Sequence, residues 1–134
     1  MTSILIDTNV LIYGIDKKSE LHKRSKDILT HPDYNLFITT KNISEYFAVC
    51  SKLKMDALIV KGFYNDIKKN VEILYPDKNS LEIFEKLIDK YKSAGNRVYD
   101  IEIVSIMLAN GVKTLATLNT KDFDQIEEIE LFWK

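Results

Sequence analysis

Four carboxylates stand just after a strand or in the first turn of a helix. Asp7 follows Ile4-Leu5-Ile6, and Glu45 closes Asn42-Ile43-Ser44-Glu45. Asp100, in Tyr99-Asp100, precedes an almost wholly apolar segment, and Asp122 ends the polar stretch from Thr117. Each has a structural role open to it. Asp7 suits the cap of the next helix, and Glu45, three residues after Asn42, suits a capping box. Asp100 suits the positive end of a helix, and Asp122 the cap of a short turn. Asp7 and Asp100 also border the most apolar segments, so both are expected near the core. Carboxylates gathered there repel one another, and burial without a partner costs several kcal/mol each. No Lys or Arg adjoins Asp7, although Arg97 lies close to Asp100 in sequence. A divalent cation relieves such repulsion, and hard oxygen ligands without Cys or His suit Mg²⁺ or Mn²⁺. A site of that kind polarises a phosphoryl oxygen and activates a water for in-line attack.

The elements that would position these acids alternate along the chain. Ile4-Leu5-Ile6 is too densely apolar for an edge strand and reads as a buried one. Thr8 and Asn9 favour a helix start, and Val10, Leu11 and Ile12 continue it. Ser19 to His31 reads as an amphipathic helix with Leu21, Ile28 and Leu29 inward and Lys23, Arg24 and Lys26 outward. His22 and His31 flank it as surface residues. Leu36–Thr39 and Val71–Leu74 read as further strands. Between them a helix runs from Asn42 to about Lys54, and a second begins near Met55-Asp56. Asn79-Ser80-Leu81-Glu82 resembles a capping box. It opens a helix whose face carries Leu81, Phe84, Ile88 and Tyr91 and which stops at Gly95-Asn96. The helix opening at Tyr99-Asp100 is apolar all round, as a buried helix is, and ends at Asn110-Gly111. Val112–Ala116 is a fourth strand and Ile129–Phe132 a short last one. This alternation predicts an α/β/α sandwich with a short, mostly parallel central sheet. Ligands bind such sheets at the carboxyl ends of strands, which is where Asp7 stands.

Composition narrows the class. The 134 residues fit one domain, 1–134, and 46% hydrophobic with 29% charged residues describes a folded globule, not a disordered chain. A net charge of −1 excludes a strongly basic nucleic-acid binder but leaves room for a local basic patch. Cys50 is the only cysteine, which rules out an intrachain disulfide and fits a reducing compartment. Its neighbours Tyr46-Phe47-Ala48-Val49 mark it as a small buried hydrophobe. No basic, then apolar, leader opens the sequence and no apolar run is of bilayer length, so a soluble cytoplasmic protein is expected.

In their order, these motifs resemble the PIN-domain nucleases, and within them the small VapC-type toxins of toxin–antitoxin pairs. Asp7-Thr8-Asn9 resembles the family's opening Asp-Ser/Thr-Asn/Ser motif, and Ser44-Glu45-Tyr46 the Glu at the head of the helix after the second strand. Tyr99-Asp100 with its apolar helix and Asn110-Gly111-Val112 resembles the segment bearing the third acid. Thr117-Leu118-Asn119-Thr120-Lys121-Asp122-Phe123 resembles the terminal Thr-x-Asn/Asp-x-x-Asp-Phe loop. The resemblance spans nearly the whole chain.

It implies a Rossmann-like fold and a Mg²⁺- or Mn²⁺-dependent endoribonuclease that leaves 5′-phosphate and 3′-hydroxyl ends, as the toxin of a type II pair. Asp7, Glu45 and Asp100 would then bind metal directly, with Asp122 as the fourth acid. Some relatives carry an acid where the neutral Asn119 stands. Thr8, Asn9 and Thr117 would hold carboxylates in place, and Asn119 would orient a ligand or water. A homodimer and a small antitoxin partner are also implied. The helix pair from Ile43 to Asn70 carries Tyr46, Phe47, Phe63 and Tyr64, an aromatic surplus that fits a partner surface.

RNA approaching an acidic pocket needs cations at the rim. Lys17, Lys18, Lys23 and Arg24 are the candidates, followed by Lys26, Lys52 and Lys54. Two other readings compete. One is a PIN-domain nuclease serving RNA processing instead of toxicity, and the other a PIN-like scaffold that binds without cutting. A phosphoryl-transfer enzyme with an aspartyl nucleophile wants a second acid two residues after the first, where Asn9 stands.

Overall fold

The layering follows from Ile4-Leu5-Ile6. In the computed structural model, which describes residues 1–134, β1 (Thr2–Ile6) sends its side chains alternately into two separate cores. Ile4 and Ile6 enter one and Leu5 the other, and all three are fully buried. Burying each such side chain contributes about 1.5–3 kcal/mol. β2 (Tyr34–Thr39) divides the same way, with Leu36 and Ile38 opposite Phe37. So does β4 (Thr114–Ala116), with Ala116 opposite Leu115. A sheet that is apolar on both faces needs helices on both.

The first face is covered by α1 (Thr8–Ile15), α2 (His22–Leu29), α3 (Thr40–Lys52) and α4 (Ala57–Lys68). The second is covered by α5 (Lys78–Tyr91) and α6 (Arg97–Ala109). With β3 (Val71–Leu74) and β5 (Glu130–Leu131), the strands form one sheet in the order β3-β2-β1-β4-β5. All four pairings are parallel, so the sheet is wholly parallel where a mostly parallel one was expected. Even the last connection, which carries only a 3₁₀ turn at Thr120–Asp122, returns β5 parallel to β4. The chain builds outward from β1 to β3, then crosses to the other side of β1 for β4. The carboxyl ends of β1 and β4 therefore meet at the point where strand order reverses, the crevice of an open α/β sheet.

Several helix starts differ from the sequence reading, those of α3 and α5 for a capping reason. α3 begins two residues early because Thr39 is its cap. Thr39 Oγ1 accepts from Asn42 N, and Asn42 Oδ1 accepts from Thr39 N. Glu45 is thereby free of the capping box assigned to it. Asp77, not Asn79, caps α5, with Ser80 as its reciprocal partner. α5 ends at Tyr91 on a left-handed Lys92, and α6 starts at Arg97, which puts Asp100 in its first turn. α6 buries Ile101 and every residue from Ile103 to Met107.

The aromatic surplus packs against the first core, with Phe47, Phe63 and Tyr64 partly buried. Tyr46 is buried, with the ring centroids of Phe47, Phe63 and Tyr64 at 5.1, 6.1 and 6.4 Å, and its hydroxyl donates to Val60 O at 2.7 Å. The exposed apolar side chains of this region are instead Leu53, Leu58 and Ile59. Gly14 lets α1 approach closely here, since a Cβ would lie 2.8 Å from Leu29 Cδ1. No helix is long and apolar enough to cross a membrane.

Candidate functional site

Asp7 leaves the end of β1 and meets the end of β4. Its N–H donates to Ala116 O at 3.0 Å, which ties the two carboxyl ends together. Its carboxylate both caps α1, accepting from Thr8 N at 2.8 Å, and accepts from Thr117 Oγ1 at 2.8 Å. Thr117 in turn accepts from Asn9 Nδ2 at 3.1 Å and from Asn119 N at 3.1 Å. Asn9 Oδ1 accepts from Leu118 N at 3.0 Å. Thr117, Asn9 and the loop after β4 thus fix one carboxylate whose side chain is almost wholly buried. Burial pushes its pKa up and the nearby Asp122 adds to this, while the hydrogen bonds from Thr117 and Thr8 oppose them.

Glu45 arrives from α3, one turn beyond the capping box, and a polar relay aims it. Thr39 Oγ1 donates to Asn42 Oδ1 at 2.8 Å, and Asn42 Nδ2 donates to Thr8 Oγ1 at 3.0 Å. Thr8 Oγ1 then donates to Glu45 Oε1 at 3.3 Å. Burial raises the Glu45 pKa and Asp7 raises it further, against the charge of Lys41.

Asp100 stands in the first turn of α6 and carries the largest consequence. Burial first, then the charges of Asp7, Asp122 and Glu45, push its pKa from 3.8 to about 7, with only Arg97 opposing. These three neighbours are the other members of the expected set. Asp122, on the 3₁₀ turn, accepts a hydrogen bond from Asn119 Nδ2. The loop thus offers one carboxylate steadied by one amide, instead of two acids.

All four acids line a single open cavity of about 480 Å³, together with Thr8, Asn9, Asn119 and Asp16. No group of three or more acidic, His or Cys side chains is drawn into a closed ligand cage. Joint direct ligation of one ion by Asp7, Glu45 and Asp100, which the sequence resemblance implied, is therefore not ready-made. Mg²⁺ keeps several waters and takes only one or two carboxylates directly. The wide, acid-lined cavity has room for Mg²⁺ or Mn²⁺ with the waters it keeps.

The cations sort differently from expectation. Lys23 pairs with Asp27 at 2.8 Å along α2, and Arg24 lies over the Trp133 ring at 5.7 Å. Neither lines the cavity, because α2 packs on one face of the sheet and not at its carboxyl edge. Lys17 and Lys18 directly follow the cavity-lining Asp16, and Lys52 and Lys54 flank the cavity-lining Leu53. The cations whose charge the acids feel are Arg97 and Lys41. Sequence reasoning missed Lys41, Asp16 and above all Asn42. A Thr at a strand end with Asn three residues later was the available signal for the last.

A sequence profile described as the PIN domain matches residues 4–129. No curated protein matches the sequence. Among solved structures, one of VapBC2 from Rickettsia felis bound to a DNA fragment from their promoter aligns with a TM-score of 0.76 at 21% identity. The alignment covers 97% of both chains. VapBC-1 from nontypeable Haemophilus influenzae aligns at 0.72 and 19% identity, over 97% of this chain and 96% of that one. VapC20 from Mycobacterium tuberculosis, a Sarcin-Ricin loop cleaving toxin, aligns at 0.68 and 11% identity, over 84% and 86%.

Proposed function

Since this chain belongs to the PIN domain family, we propose that it is a Mg²⁺- or Mn²⁺-dependent endoribonuclease and the toxin of a type II toxin–antitoxin pair. The observation that carries the reading is the convergence of Asp7, Glu45, Asp100 and Asp122 on one cavity at the reversal point of the sheet. Four carboxylates gathered on one cavity repel one another, which suits them poorly to holding the fold together and well to binding cations.

A divalent ion there supplies charge neutralisation, polarisation of a phosphoryl oxygen and an acidified water. Asp7, Glu45 and Asp100 are the residues that would hold it, in part through the waters it keeps. The chain's own contribution is placement. Thr117 and Thr8 N–H fix Asp7, the Thr39–Asn42–Thr8 relay fixes Glu45, and the rigid first turn of α6 fixes Asp100. Asn119 holds Asp122 at the mouth, where the pair orients water or ligand.

The exposed Leu53, Leu58 and Ile59 border this mouth through Leu53 and supply an apolar face for a small antitoxin. The VapBC likeness supports that partner; the reading further takes the chain to be a homodimer acting on RNA in the cytoplasm. The test is incubation of the purified chain with total RNA in Mg²⁺ or Mn²⁺. Discrete fragments with 5′-phosphate ends, lost in EDTA and in Asp7→Asn, support the reading. Absence of both cleavage and metal binding supports the scaffold alternative.

A further inference from the structure

Asp100 and Asp122 line two cavities, not one. Behind them, away from the acidic cavity, lies a second of about 230 Å³. Its lining sets two cations, Arg97 and Lys92, beside the two shared acids, with Tyr91, Ser93 and Gln125 as its neutral polar side chains. The Tyr91 hydroxyl is already committed to Glu128 and to Glu127 N. Arg97 is not. Its one ion pair, to Asp122, has an Nη2–Oδ1 separation of 3.7 Å, too long for a hydrogen bond, and its side chain is 49% exposed. Lys92 takes part in none of the ion pairs. It sits in the left-handed region at φ 49°, at the end of α5, and the turn through Gly95 at φ 61° leads from it to Arg97. Two cations with free donors therefore line one recess, and Asp100 and Asp122 form the wall it shares with the acidic cavity.

That polarity matches a nucleic-acid strand laid across the wall. A phosphodiester to be cut belongs over the acids, with metal. The next phosphate along has no metal to neutralise it and needs protein cations. We propose that the Arg97–Lys92 cavity holds the backbone phosphate of the nucleotide adjacent to the scissile bond of a single-stranded RNA. This rests on the nuclease reading above. Arg97 is the principal contact, since its planar fork meets two phosphate oxygens at once. Lys92 adds a point charge, and Ser93 and Gln125 supply neutral polar contacts. Arg97 is a substrate-binding residue on this account, in addition to tempering the charge of Asp100.

The experiment uses wild-type protein and a defined RNA oligonucleotide that it cleaves in Mg²⁺. Arg97→Ala raises KM about tenfold, over and above whatever change in kcat comes through Asp100, as loss of a charge-assisted contact requires. Fluorescence anisotropy of the same RNA shows a log–log salt slope shallower by about 0.7 for each cation removed. Lys92→Ala behaves alike but more weakly, Arg97→Lys restores the slope, and Lys69→Ala, before β3 at the opposite edge of the sheet, changes neither reading. Removing nucleotides one at a time from each end then closes the argument. On one side, loss of the adjacent nucleotide brings wild type down to the Arg97→Ala level and costs the variant nothing more. If Arg97→Ala lowers kcat at constant KM and constant salt slope, the residue acts only through Asp100 and the proposal is overturned. If wild-type protein binds and cuts no RNA, the nuclease reading itself fails and takes this proposal with it.

Discussion

Replacing Asp100 with Asn should abolish cleavage and at the same time stabilise the metal-free protein. The carboxyl has a pKa of about 7 in the fold against 3.8 when free, through burial and the charges of Asp7, Asp122 and Glu45. Below about pH 4 it is protonated in both folded and unfolded chains, and wild type and variant should be equally stable. Between about pH 4 and 7 the folded chain holds a proton that the unfolded chain has released, so wild-type stability falls as pH rises. Above about 7 the whole penalty is present. The gap corresponds to about 4 kcal/mol at full strength, and to about 2 kcal/mol once solvent screening of this half-buried group is allowed for. Asparagine keeps the shape without the charge. In EDTA at pH 8 and low salt, thermal unfolding should place Asp100→Asn about 6 °C above wild type, with the two curves converging at pH 4. Mg²⁺ at pH 8 should raise the wild-type midpoint more than the variant's. A variant no more stable than wild type at pH 8, or equally favoured at pH 4 and 8, would refute the electrostatic reasoning.

The same framework sets other expectations. Asn42→Ala removes half of a buried capping box and the donor to Thr8, so chemical denaturation should show a loss of about 2 kcal/mol; cleavage should fall because Glu45 loses its relay. Thr117→Val deprives Asp7 of its side-chain donor; activity should drop at least tenfold while far-ultraviolet circular dichroism stays unchanged. Leu5→Ala opens a cavity in the second core and should cost about 3 kcal/mol in a urea titration. Light scattering on the purified chain should give twice the 15.6 kDa of one copy, and a monomer mass would remove the dimer.

How far the sequence could carry these conclusions depended on the kind of signal. The run Ile4-Leu5-Ile6 is legible because a strand covered on both faces has to be apolar at every position. Helix starts were misplaced where two capping residues competed. Thr39 and Asn42 both suit a cap, as do Asp77 and Asn79, and only tertiary placement chooses between them. The four acids were visible one by one through their position just after a strand or at the start of a helix or turn. Their convergence follows from strand order, which no local pattern encodes, since β4 lies beside β1 only because the chain crosses over after β3. Asn42 was hidden because its role is to hold another residue. Lys23 and Arg24 misled because a helical stripe of cations looks the same whether it faces RNA or solvent.

The central claim is that a metal held by these carboxylates contacts the phosphate being cut. The most direct measurement is cleavage of an RNA carrying a single phosphorothioate at the mapped scissile position. Sulfur binds Mg²⁺ poorly and the softer Mn²⁺ better. The account predicts that one phosphorothioate isomer is cut slowly in Mg²⁺, that Mn²⁺ restores the rate, and that EDTA or Asp7→Asn abolishes cleavage of both RNAs. Cleavage that persists in EDTA, or that survives Asp7→Asn undiminished, would contradict it.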